Sequence, residues 1–110
     1  MHPAAWLALA ICSEIIATVS LKVSDGFTRP IPAAVVVAGY ALSFYALSIS
    51  LRTIPLGVVY AIWSGIGTAA VVVIGLFLFR ESLDAAKVVG IGLIIAGVVI
   101  VNGVGTATAQ

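Results

Sequence analysis

Apolar positions fill this chain in four long runs, and the charged positions fall almost entirely between them. The first run spans about residues 4–21 and ends at Lys22; the second spans about 31–51 and ends at Arg52. The third spans about 56–79 and closes at Arg80-Glu81-Ser82-Leu83-Asp84; the fourth spans about 85–101. About 20 residues of α-helix cross the hydrocarbon core of a bilayer, so each run predicts one transmembrane helix. Gly26 and Pro30 break the chain after the first run, and Pro32 is tolerated in the first turn of the second. Glu81 and Asp84 suit the positive end of the fourth helix, and Asn102-Gly103 predicts its stop. Residues 104–110 read as a flexible tail. Residues 1–110 thus read as a single four-helix transmembrane domain, an all-α membrane protein.

Composition strengthens this reading. The 110 residues are 63% hydrophobic and 8% charged, where a soluble domain carries about 25% charged residues. So few charges cannot cover a soluble surface, and lipid is the expected solvent. The net charge of +1 contains no basic tract, which excludes nucleic acid as a partner. Cys12, the one cysteine, has no disulfide mate and reads as a small packing residue. The first run reads as a retained helix and not as a signal peptide, because Met1-His2-Pro3 lack Lys and Arg and Glu14 interrupts the apolar stretch. No Ser/His/Asp set, metal-ligand cluster or phosphate loop is visible, so neither an enzyme nor a cofactor or metal site is expected.

With four spans, Lys22, Arg29, Arg80 and Lys87 share one side and Arg52 holds the other. This bias favours termini on the outer side of the membrane.

One charge remains inside a run. Glu14 lies ten residues into the first helix, roughly 15 Å deep at 1.5 Å per residue. It is too deep to snorkel, and an unpaired carboxylate there costs several kcal/mol. A bound proton or a bound cation removes that cost, which makes Glu14 a candidate exchange site. The alternative is a permanently protonated glutamate bonded to a neighbouring helix. Ala10 and Thr18, with Ala17 and Leu21, share its helical face. The alanines leave room and Thr18 offers a hydroxyl, although plain helix packing accounts equally for the alanines.

Tyr60 and Trp63 share a face of the third helix, where aromatic rings attract organic cations; the alternative is an interfacial aromatic belt. Gly65 and Gly67 follow and predict a kink, or else close packing. Tyr40 and Ser43 share a face of the second helix beside Phe44 and Leu47, and Tyr40 is a candidate partner for the carboxylate. Four helices enclose little by themselves. On the fourth, Ala86, Gly90, Ile94, Gly97 and Val101 form a small-residue stripe suited to a second copy, or to packing within the chain.

Ser13-Glu14 with Thr18 and Lys22, then Gly26-Phe27-Thr28-Arg29, Ile54-Pro55 and Tyr60-Ala61-Ile62-Trp63-Ser64-Gly65-Ile66-Gly67, resemble the small multidrug resistance family of bacterial inner-membrane antiporters. The resemblance covers nearly the whole chain. Ala17 and Asn102 stand where the guanidinium-exporting branch has tryptophan and lysine, and Tyr40 and Ser64 also fit the multidrug, quaternary-ammonium branch. Ser13 departs from that branch, which commonly has alanine. The resemblance implies an antiparallel homodimer exporting hydrophobic cationic drugs against protons. Glu14 would be shared by proton and drug, the chamber lined by Tyr40, Tyr60, Trp63, Thr18 and Ser43, and the dimer joined through Gly90 to Val98. The proton gradient would be the energy source and no cofactor would be needed. Within the family, a guanidinium- or polyamine-type exporter and one subunit of a paired heterodimer remain alternatives. An accessory or lipid-handling membrane subunit is the alternative outside transport. A proton-translocating ring subunit is disfavoured, since it expects a two-helix hairpin with the carboxylate in the second helix.

Overall fold

The computed structural model describes residues 2–108, with side chains through residue 103. Four helices follow one another: α1 (Pro3–Val23), α2 (Pro30–Ser50), α3 (Leu56–Leu78) and α4 (Ala85–Thr108). All four are long and apolar enough to cross a membrane, and no strand occurs among the described residues. The protein is an all-α, four-span, multi-pass membrane protein. Its helices form two compact units, Met1–Thr53 and Ile54–Gln110.

In the first unit α1 packs on α2. Proline starts both helices, where its missing N–H is one of the donors a helix leaves unpaired anyway. His2 caps α1 by accepting the Ala4 amide on Nδ1 at 3.0 Å. Leu7, Ala10, Ile11 and Ala17 bury one stripe of α1, and Val36, Ser43, Ala46 and Ser50 bury the facing stripe of α2. These positions are separated by three, four or seven residues, the spacing of one helical face. Two contacts draw the helices close. The Ser43 hydroxyl, fully buried, donates to the Ala10 carbonyl at 2.8 Å. At the other contact, a Cβ built on Gly39 would stand 2.8 Å from the Ala17 Cβ and 3.1 Å from the Ser13 carbonyl oxygen. Trp6 and Tyr45 meet edge to face at 6.1 Å.

The link between α1 and α2 turns through three left-handed residues, Asp25, Gly26 and Phe27, with φ of 48°, 69° and 66°. Two of these carry side chains, so the conformation must be held by its surroundings. Ser24 is the anchor. Its buried hydroxyl donates to the Leu21 carbonyl at 2.7 Å and accepts the Phe27 amide at 3.2 Å, and its carbonyl accepts the Thr28 and Arg29 amides.

In the second unit α3 packs on α4. Gly65 lies where Val98 and Ile94 of α4 press against α3. The Gly75 carbonyl accepts the Phe79 and Glu81 amides, both at 3.1 Å, and Arg80 between them is left-handed at φ 54°. The acidic pair expected at the start of α4 divides. Asp84 caps α4, accepting the Lys87 amide at 2.9 Å. Glu81 instead folds back on the end of α3, its carboxylate filling the space where a side chain at Gly75 would stand. Helix α4 also runs on to Thr108, past the stop expected at Asn102-Gly103. Glycine and asparagine weaken a helix by about 1 kcal/mol or less each, and no proline follows to end it. Residues 109 and 110 of the expected tail lie outside the described residues.

Large apolar side chains cover the outside, among them Ile31, Phe77, Leu93 and Val99. No side chain of α4 described in the structure is buried. Such a surface is stable against acyl chains and not against water.

The Ser43–Ala10 bond gives the first prediction. Ser43→Ala keeps the volume nearly constant and removes one interhelical donor, so unfolding in detergent should become easier by about 0.6 kcal/mol. Denaturant titration followed by circular dichroism checks this.

Candidate functional site

The carboxyl of Glu14, half-buried on α1, meets one hydroxyl, which in turn meets a second. Thr18 sits one turn along the same helix and donates from Oγ1 to Glu14 Oε1 at 2.7 Å. Tyr40 reaches across from α2, with its hydroxyl 2.7 Å from the same Thr18 Oγ1. A threonine hydroxyl has one hydrogen to give. While Thr18 gives it to Glu14, Tyr40 must be the donor to Thr18. The result is a directed chain, Tyr40 to Thr18 to Glu14, that ends on the carboxylate.

This arrangement answers the cost of the charge. Hydrogen bonds to an ionised acceptor are about twice as strong as neutral ones, and linked bonds polarise one another. The same oxygens also serve a protonated Glu14. The carboxylic acid then donates to Thr18, and the Thr18 hydrogen turns to the Tyr40 oxygen. No buried side-chain polar atom among the described residues lacks a partner.

Each expected site residue has a definite place. Glu14, Thr18 and Tyr40 come together, Tyr40 through the Thr18 hydroxyl and not on the carboxyl itself. Ala10 and Ser43 also meet, but both are fully buried in the α1–α2 seam and the Ser43 hydroxyl is committed to the Ala10 carbonyl. They underlie the carboxylate's face and present no open surface within this unit. Tyr40 stacks on Phe44, with centroids 6.1 Å apart and planes 19° apart. In the second unit Tyr60 and Trp63 pair edge to face at 6.2 Å and 89°. Tyr60 is well exposed, at 63%, so its ring face is open.

Helix α3 continues unbroken through Gly65 and Gly67. Both are buried, and Gly65 is used for close approach to Val98 and Ile94. Ile94, placed by spacing on a stripe for a second copy, thus touches α3 of its own chain. Gly90 and Gly97 have nothing within 4 Å of where a side chain would begin. Cys12 is exposed on α1.

Spacing arguments missed Gly39 and Ser24. Gly39 had a signal: a glycine inside an apolar span permits a close crossing of membrane helices. Ser24 had none, since one serine in a polar loop resembles any other.

Comparison with known proteins finds a family match and several relatives. The sequence profile of the family described as Small Multidrug Resistance protein matches residues 3–94. A protein of Escherichia coli named quaternary ammonium compound-resistance protein QacE is 48% identical over 105 residues, covering 96% of each chain. A multidrug transporter of Pseudomonas aeruginosa is 50% identical over 97 residues, covering 88% of each. Multidrug resistance protein EbrA of Bacillus subtilis is 52% identical over 97 residues, covering 88% of this chain and 92% of its own.

The hydroxyl chain makes a prediction independent of transport. Thr18→Val and Tyr40→Phe each break the Tyr40–Thr18 bond, so their costs should not add. A double-mutant cycle on unfolding in detergent should give a coupling of about 0.6 to 1.7 kcal/mol.

Proposed function

The chain belongs to the small multidrug resistance family, a family of transporters and not of enzymes, and from that premise we propose that it is a proton-coupled antiporter. Its cargo is hydrophobic and quaternary ammonium cations, and proton and cation compete for Glu14. The observation that carries this reading is the Glu14–Thr18–Tyr40 chain, which satisfies the carboxyl in either protonation state. One negative charge compensates one proton or one organic cation, and not both. Exclusion of this kind couples proton entry to cation exit. The proton gradient of a bacterial inner membrane supplies the energy, and no cofactor takes part.

Tyr40, Tyr60 and Trp63 supply aromatic faces for the cation. Ala10 and Ser43 form the floor behind the carboxylate. Gly65 and Gly67 let α3 flex during the cycle, having no side chains of their own to resist it. The functional unit is an antiparallel homodimer, with Gly90 and Gly97 at the contact beside Ile94. The open space at both glycines, and the absence of buried side chains from the described part of α4, support a second copy there. The charge bias towards one side, Lys22, Arg29, Arg80 and Lys87 against Arg52, keeps a paired heterodimer as the alternative form of this reading. In that form an oppositely oriented homologous subunit replaces the second copy.

Two predictions test this reading. Protonation removes the charge that attracts the cation, so tetraphenylphosphonium binding should weaken as pH falls, and binding should release protons into a weakly buffered solution. Glu14→Gln should abolish binding, proton release and pH-driven uptake into proteoliposomes while the protein still inserts. Uptake retained by Glu14→Gln would refute proton–cation competition at this residue. Trp63→Ala should weaken binding of aromatic cations by about tenfold, near the 0.5–2 kcal/mol of one cation–π contact, and leave the pH dependence of the residual binding unchanged.

A further inference from the structure

Ala17 and Gly39 meet across α1 and α2 with no room for a second methyl, and each adjoins a member of the hydroxyl chain. Ala17 precedes Thr18 and Gly39 precedes Tyr40. Ala17 is fully buried. A methyl on Gly39 would lie 2.8 Å from the Ala17 Cβ, 3.1 Å from the Ser13 carbonyl oxygen and 3.3 Å from the Ala17 Cα. These atoms are backbone or one bond from it, so no side chain can swing aside. Only the helices can part, by roughly half an ångström or more to reach ordinary contact. One methyl, carried by α1 and absent from α2, fills the crossing.

We propose that Ala17 and Gly39 are a positioning pair for the exchange site, holding α1 and α2 at the separation at which the Tyr40 hydroxyl meets Thr18. The inference rests on the antiport reading of Glu14 and adds to it two residues that touch neither proton nor cation. A 2.7 Å bond tolerates little parting: half an ångström more brings it to the limit of hydrogen bonding. Thr18 then donates to Glu14 without a donor behind it, and the ionised carboxyl loses support relative to the protonated one. Binding of the cation to the ionised carboxyl is then weakened. Tyr40 is the titratable group that α2 brings to this point. Its other tyrosine, Tyr45, is engaged with Trp6, while α1 itself carries the exposed Cys12 and, at its end, Lys22.

The test is a methyl-exchange cycle on the full-length protein, read as the pH at which half the sites bind tetraphenylphosphonium. Gly39→Ala adds a methyl and parts the helices. Ala17→Gly removes the only methyl and loosens the crossing. Each should raise the half-binding pH by about 0.2 to 0.4 unit, part of the worth of one hydrogen bond in a membrane interior. The double variant, Ala17→Gly with Gly39→Ala, again places one methyl in the crossing and should return the half-binding pH to that of the parent. A fall in thermal stability with the half-binding pH unchanged, or shifts that add in the double variant, would overturn the inference. Should Gly39→Ala fail to assemble, Ala17→Gly and the double variant carry the same comparison. Glu14→Gln runs alongside: if it binds like the parent, the antiport reading itself falls, whereas loss of binding there with a flat methyl cycle removes only the positioning role.

Discussion

A carboxylate inside hydrocarbon is the constraint on which the rest of this protein depends. Glu14 costs several kcal/mol when ionised and unpaired at mid-depth. Hydroxyls from two helices meet that cost, and each must be placed to within a few tenths of an ångström. The placement needs helices that come close, and close helices need small residues at the crossing. Gly39, Ala17, Ser43 and Ala10 follow from that requirement as surely as Thr18 and Tyr40 do.

The two units meet this requirement by different means. The first is fastened by directed contacts: the Ser43–Ala10 bond, the Ala17–Gly39 crossing and a turn held by Ser24. The second relies on surface fit, with Val98 and Ile94 filling the hollow at Gly65 and Glu81 filling the one at Gly75. Fit of this kind is less tied to one geometry than a hydrogen bond is, since dispersion contacts are individually weak and undirected.

The four spans were legible because apolar runs of membrane-crossing length are long and their interruptions are charged. The Glu14–Thr18 pair was legible because both residues lie on one helix, where spacing alone fixes the face. Tyr40 was legible as a candidate and not as a partner of Thr18, since register between two helices is decided by which small residues meet. For the same reason the sequence could not separate the two uses of Gly65, and the structure shows close packing there. Ser43 read as a lining residue from the family resemblance; that its hydroxyl bonds the Ala10 carbonyl could not be read from spacing, since Ala10 belongs to another helix. The reach of α4 to Thr108 was not legible because Asn-Gly favours a helix end without enforcing one.

The three oxygens at Glu14, Thr18 and Tyr40 also form a small electric dipole with a sense. When the carboxyl is ionised, the Tyr40 hydroxyl points from α2 to Thr18 on α1, and the Thr18 hydroxyl points on along α1 to Glu14. When it is protonated, both reverse. The charge state of a residue on the first helix is therefore written on the second as the direction of a phenol's O–H, with no displacement of either backbone. Anything in contact with the Tyr40 ring meets a different electrostatic partner in the two states.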